Sequence, residues 1–190
     1  MPVPPWYPFD PDEAKPAPMP LLLVQGFLNT IYIEDGRDLL GNVEDARPWL
    51  TSAGLLPKGA RLSAAELGSA RALRDGMRSL LEGGARLSPL RELAESHSAK
   101  LVVHKGGALT LEPARREDLG DALFGLLLII REAQEDKTWA RLRVCANPDC
   151  RWVFYDRSRN RQGNWCDMAV CGNRLKNRRL RARQSGSTGA

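Results

Sequence analysis

The sequence predicts a mainly α, α+β protein: a helical N-terminal domain with one small β-hairpin, followed by a small C-terminal four-cysteine module that ends in a basic helix. Three features point there. Apolar residues recur at helical spacing through most of residues 21–140, with the period of three to four that makes one buried face. One pair of β-prone runs flanks a glycine loop. All four cysteines fall between Cys145 and Cys171. With 190 residues, 43% hydrophobic and 27% charged, the chain has ordinary globular composition and enough length for one core plus a satellite module.

Residues 1–20 hold eight of the thirteen prolines. Such a stretch favours polyproline II and cannot build a helix, so it is expected to be a tail, lying on the surface or disordered. The apolar run from Leu21 to Glu34 fits a buried helix better than a strand. Gly36 and Gly41 punctuate a turn after it. Asn42 can cap a helix over residues 43–53 with Ala46, Trp49 and Leu50 on one face, and Gly54 stands where a C-terminal cap belongs. Ser63 and Glu66 form a capping-box pair ahead of Leu67, Ala70, Leu73, Met77 and Leu80; Gly83-Gly84 end that helix. A shorter helix spans residues 88–95. The runs LVVH and ALTL, joined by Lys105-Gly106-Gly107, read as a hairpin. The firmest helix covers residues 115–140; its middle, ALFGLLLII, is apolar nearly all round and belongs at the centre of a helical domain.

Several function classes are excluded or weakened. The longest apolar stretch, residues 122–130, has less than half of the roughly 20 residues a membrane span needs. The opening MPVPPWYPFD has neither a basic nor an apolar leader region, so a cytoplasmic protein is expected. His97 and His104, the only histidines, lie far from the cysteines and read as structural or surface residues. Glu34, Asp35 and Asp38 near Arg37 could line a small pocket, though a solvated acidic loop accounts for them better. No nucleophile–base set has supporting context, and no enzyme is expected.

The cysteine spacing is Cys145-x4-Cys150-x15-Cys166-x4-Cys171. Reducing compartments keep thiols from pairing, and scattered core cysteines would not cluster this way. Two thiolate pairs on tight turns make a closed tetrahedral site for one structural Zn2+; Asn147-Pro148-Asp149 is turn sequence within the first pair. Four thiolates also suit an iron–sulfur cluster, and incidental thiols or a redox switch remain as alternatives. Trp152, Val153, Phe154 and Trp165 are the expected miniature core.

Residues 141–183 carry twelve basic and three acidic residues, the rest of the chain sixteen and twenty. A mildly acidic body thus bears a strongly basic module, which points to a polyanion partner. Arg157, Arg159 and Arg161 alternate and would face one way if their loop is extended. In the expected C-terminal helix, Arg174, Arg178 and Arg181 share one face and Lys176, Arg179 and Arg183 another, with Asn173 placed to hydrogen-bond phosphate or base edges. A solvated helix whose charge only aids solubility is the alternative reading.

Cys145-Ala-Asn-Pro-Asp-Cys150, Asp156-Arg-Ser-Arg-Asn160, Trp165-Cys-Asp-Met168 and Cys171-Gly-Asn-Arg174-Leu-Lys176 resemble the CGNR zinc-finger family. Phe27-Leu-Asn-Thr30, Asp38-Leu-Leu40, Trp49-Leu50 and Gly54-Leu55 are similar to the ABATE domain that precedes that finger in bacterial proteins regarded as transcription regulators. The resemblance covers residues 21–183 and implies zinc on the four cysteines, DNA binding by the finger, and a DNA-facing or zinc-flanking role for Gly172-Asn173-Arg174. Family members usually carry basic residues where Gly163-Asn164 stand here. The expected organisation is a tail (residues 1–20), an ABATE-like domain (21–140) that senses a small-molecule signal, forms a homodimer, or both, a zinc finger (141–183) and a flexible end (184–190). A protein- or RNA-binding adaptor is the second reading.

Overall fold

The computed structural model describes residues 4–7 and 15–173. Arg174, Lys176, Arg178, Arg179, Arg181 and Arg183, and with them the expected basic helix, lie outside the described residues. Five helices and three two-stranded antiparallel hairpins make up the described part, and no helix among the described residues is long and apolar enough to cross a membrane.

The run from Leu21 splits. Helix α1 (Leu21–Leu28) buries Leu21, Leu22, Val24, Phe27 and Leu28, then stops. Thr30 Oγ1 donates to the Phe27 carbonyl at 2.8 Å, and Ile31–Tyr32 (β1) pairs with Arg37–Asp38 (β2) across the Gly36 turn. That hairpin was not legible because each strand is only two residues long. Helix α2 (Val43–Ser52) starts on Asn42, whose side chain accepts from the Asp45 amide. It closes with Leu55 N–H donating to the Leu50 carbonyl and Gly54 N–H to that of Thr51, the paired bonds of a left-handed C-terminal cap. Helix α3 (Ala64–Leu81) carries the full capping box of Ser63 and Glu66. Helix α4 (Ser88–Ser96) leads into β3 (Ala99–Val103), which pairs with β4 (Leu109–Pro113) in the register Val103↔Leu109, around the loop read from the sequence.

Helix α5 (Leu119–Glu135) is shorter at both ends than the expected 115–140. Asp118 takes the N-cap and accepts from the Asp121 amide at 2.9 Å. At the other end Lys137 turns left-handed and Asp136 accepts from the Thr138 amide, which sends the chain into a 3₁₀ turn at Trp139–Arg141. Apolar content continues past the helix, but the polar side chains decide where its backbone ladder ends. Helices α1, α3 and α5 enclose the core around Phe27, Leu50, Leu73, Met77 and Leu126. Arg74 is buried at 2% exposure and forks onto Asp38, at 2.5 and 2.9 Å, with Thr30 Oγ1 at 3.2 Å. Asp38 is therefore an ion-pair anchor rather than part of a solvated acidic loop.

The third hairpin joins the cysteine module to the body. Strand β5 (Leu142–Val144) pairs with β6 (Val153–Tyr155). Alternation along β6 sends Val153 and Tyr155, with Leu142 from β5, into the body's core, and Phe154 to the opposite side with Trp152 and the cysteines. Val153 is thus not part of the module's own core, as a strand's two-residue period dictates. Buried Asn29 brackets the Val153 peptide: its Nδ2 donates to the carbonyl at 2.8 Å and its Oδ1 accepts from the N–H at 2.8 Å. Gln25 Nε2 donates to the same carbonyl at 3.1 Å. Arg78 donates to the Leu28 carbonyl at 2.9 Å and the Arg151 carbonyl at 2.5 Å, and Arg151 in turn pairs with Glu82.

The proline-rich segment is not wholly a surface tail. Tyr7 and Ala17 are buried at 5% exposure, the Trp6 carbonyl accepts from Trp49 Nε1 at 2.9 Å, and the Lys15 carbonyl accepts from the Tyr155 amide at 2.8 Å. Proline there denies helix but leaves the chain extended enough to lie along β6. Replacing Asn29 with Ala leaves the Val153 N–H buried without an acceptor, so a loss of about 1–3 kcal/mol in urea-unfolding free energy is expected; an unchanged midpoint would contradict the bracket.

Candidate metal centre

Cys145 follows β5 directly, and its amide donates to the Trp152 carbonyl at 2.8 Å, extending the hairpin. The Asn147 carbonyl accepts from the amides of Cys150 and Arg151, both at 3.0 Å, and left-handed Arg151 swings the chain back into β6. Asp167 caps a π-helical turn, Met168–Gly172, by accepting from the Val170 amide at 2.6 Å. Cys171 rides on that turn beside Gly172, where an added Cβ would lie 2.6 Å from the Met168 sulfur. The signature glycine thus sits in close contact with the Met168 thioether and, at 3.3 Å, the Trp165 ring.

All four cysteine sulfurs lie within 4.8 Å of one another. Cys150 and Cys166 are 3.6 Å apart, as are Cys166 and Cys171. A disulfide needs about 2.05 Å, whereas a tetrahedron with ~2.3 Å metal–sulfur bonds has edges of about 3.8 Å. The spacing suits one ion at a shared centre; a cluster with one iron per thiolate needs the sulfurs farther apart. Cys145 and Cys171 are buried, and Asn147 Nδ2 donates to the Cys171 sulfur at 3.7 Å. The sulfurs of Cys145, Cys150 and Cys166 titrate together. Cys145 is driven down to about 2, chiefly by hydrogen bonds from Cys150 and Cys166. Cys150 is pushed up to about 12 by its contact with Cys145, and Cys166 is raised by Cys145 and Cys150. A cation at their centre would offset the repulsion between thiolates this close. Trp152 and Phe154 back the site, Tyr32 lies 5.5 Å from the Trp152 ring, and Arg37 sits 3.9 Å over Tyr32.

The arginine loop is organised by a residue that sequence reasoning passed over. Buried Asp156 accepts from the Ser158 amide at 2.9 Å and the Gly163 amide at 2.7 Å. A Cβ at Gly163 would sit 2.9 Å from that carboxylate, which explains glycine where basic residues are usual. The loop is a compact turn, with Arg161 left-handed, so the extended geometry that would align Arg157, Arg159 and Arg161 is not adopted. Arg141 donates to the carbonyls of Asp156 and Ser158, and Arg143 to that of Arg161. These two arginines support the loop from beneath. Arg157 is tethered to the Pro16 carbonyl at 2.9 Å. Arg159 and Arg161 are exposed, as is Asn173.

A family model described as "CGNR zinc finger" matches residues 141–184. The ABATE model, described as "Putative stress-induced transcription regulator", matches residues 23–136, more than half of the chain. The chain belongs to the ABATE family. No curated protein matches it. In this ABATE chain the four clustered sulfurs lie within the part matched by the zinc-finger model, and their geometry fits a zinc site. Both families are of non-enzymatic kinds.

Burial opposes ionisation of Asp156, but hydrogen bonds from Ser158 and Gly163 and the Arg143 charge outweigh it and hold the carboxyl below its usual range. A depressed carboxyl pKa contributes stability that is fully present above the unfolded value of about 3.9 and is lost as pH falls through the folded value. Asp156→Asn is expected to cost about 1–3 kcal/mol at neutral pH, with the difference from wild type shrinking in strong acid; urea titrations across pH check both. Metal analysis is expected to give one zinc per chain and Cys171→Ser to lose it, with a collapse of near-ultraviolet tryptophan dichroism. Retained dichroism after metal loss would contradict a metal-built module.

Proposed function

We propose that the protein is a zinc-dependent DNA-binding transcription regulator. The observation that carries this reading is the exposed Arg159 and Arg161 on a loop that Asp156, Arg141 and Arg143 hold rigidly beside the four sulfurs. One structural Zn2+ on Cys145, Cys150, Cys166 and Cys171 fixes the module. Arg157, Arg159, Arg161 and Asn173, with Arg174, Lys176, Arg178, Arg179, Arg181 and Arg183, form the DNA-contacting set, whose phosphate contacts supply affinity. The functional parts are a segment over residues 1–20, an ABATE body over 21–140, the zinc finger over 141–183 and a tail over 184–190. The body senses a signal or dimerises in the cytoplasm. Two features support those roles: a groove of about 460 Å³ lined by Leu55, Leu56, Pro113 and Ile129 together with Glu112, Arg116 and Glu132 that suits an amphipathic effector, and the exposed Leu101, Val103 and Leu109 on one hairpin face, which suit a second copy.

The adaptor reading draws on Met168 and Val170, exposed at 66% and 43% beside Cys171. Apolar side chains suit a protein partner better than a phosphate backbone.

Fluorescence anisotropy of a labelled duplex decides between them. Binding is expected to weaken steeply with salt and vanish on zinc chelation. Arg159→Ala and Arg161→Ala should each reduce the slope of log affinity against log salt by about 1. No duplex binding at low salt by zinc-loaded protein would overturn the regulator reading.

A further inference from the structure

We propose that His97, Asp118 and Asp121 form a second metal site, open and exchangeable, for a divalent transition-metal ion in the ABATE body. The three residues come from two elements: His97 ends α4, Asp118 caps α5, and Asp121 stands in the first turn of α5. Their ligand atoms lie within 4.8 Å of one another. A histidine with two carboxylates is a donor set that zinc, cobalt, iron or manganese accepts.

The histidine is oriented as a metal ligand would be. Its Nδ1 lies 3.1 Å from the Leu93 carbonyl and 3.0 Å from Ser96 Oγ. A carbonyl only accepts, so Nδ1 carries a proton, and in the neutral ring Nε2 is the nitrogen with the lone pair. Donation of one ring N–H to a backbone carbonyl is the outer-shell bond that fixes metal-binding imidazoles. The ring is further held against Phe124, at 5.7 Å and 21°.

A second observation, independent of the cluster's own bonds, comes from Gly120. A Cβ there would meet His97 Nε2 at 2.7 Å and Asp118 Oδ1 at 3.2 Å. A larger residue would displace the imidazole and crowd the carboxylate beside it. The carboxylates are also pre-set. Asp118 Oδ1 accepts from the Asp121 amide and Asp121 Oδ2 from the Glu117 amide, both at 2.9 Å. One oxygen of each is thereby fixed, and the other makes no hydrogen bond among the described residues.

The surroundings favour a cation. The site opens onto a polar cavity of about 460 Å³ lined also by Glu95, Glu117 and Arg115. The positive end of α5 opposes a cation with about half a charge, less than the two carboxylates supply. Three protein ligands leave coordination positions for water or for an effector that carries its own donor atom. An ion here would pin the end of α4 and the root of the β3–β4 hairpin to the start of α5. Unlike the cysteine centre, this site has no thiolate, so the two can be told apart by spectrum.

The test uses the full zinc-loaded chain titrated with Co2+. One further equivalent is expected to bind without the thiolate-to-cobalt charge-transfer band that the cysteine site would give. His97→Ala should abolish it. Asp118→Asn, which keeps a competent helix cap, should weaken it at least about tenfold, with zinc content and thermal unfolding unchanged. Absence of a further equivalent in wild type, or equal binding by folded His97→Ala and Asp118→Asn, would overturn the proposal.

Discussion

One peptide group ties the two halves of this molecule together. The Val153 N–H and carbonyl are buried, and the side chain of Asn29 satisfies both. An amide carries a donor and an acceptor side by side, so it can close such a bracket as a neighbouring strand would. Around it the β5–β6 hairpin divides by its pleat. Val153, Tyr155 and Leu142 complete the helical core, while Phe154 and Trp152 floor the four sulfurs. Neither side is closed without the hairpin, and the Lys15 carbonyl and the Arg78 guanidinium tie down its margins.

This coupling gives the ABATE motifs a physical meaning. Asn29 and Thr30 follow α1 because the chain there serves the hairpin and the buried Arg74–Asp38 pair rather than another helical turn. A signal that moved α1 or α3 would reach the cysteine module through hydrogen bonds of about 3 Å, with no flexible linker between. The arginine loop is held in the same manner. Asp156 accepts within it, Arg141 and Arg143 brace it, and the exposed side chains project from a fixed frame.

Much of this was legible in the sequence because it is local. Asn42, Ser63-Glu66, Gly54 and Gly83 announce helix ends through bonds spanning a few residues, and the cysteine spacing announces its metal chemistry. What was not legible depends on long-range pairing. Asn29 and Val153 are 124 residues apart, so nothing near Asn29 says why the helix should stop. Tyr7 and Ala17 looked like tail residues because proline content forbids helix but says nothing of burial. The closeness of His97 to Asp118 and Asp121 was out of reach for the same reason, since they lie more than twenty residues apart in sequence. The arginine triplet misled for a different reason: alternation implies one face only in an extended chain, and Asp156 folds this one into a turn.

Because both cores share the β5–β6 hairpin, the cysteine module and the helical body are expected to fold as one unit. Hydrogen exchange read by mass spectrometry on zinc-loaded and zinc-stripped protein tests it most directly. Removing the metal is predicted to lower protection both in residues 142–155 and in residues 21–30, since α1 loses the strand it brackets. Loss confined to residues 145–171, with residues 21–30 as protected as before, would contradict the claim and make the two halves independent.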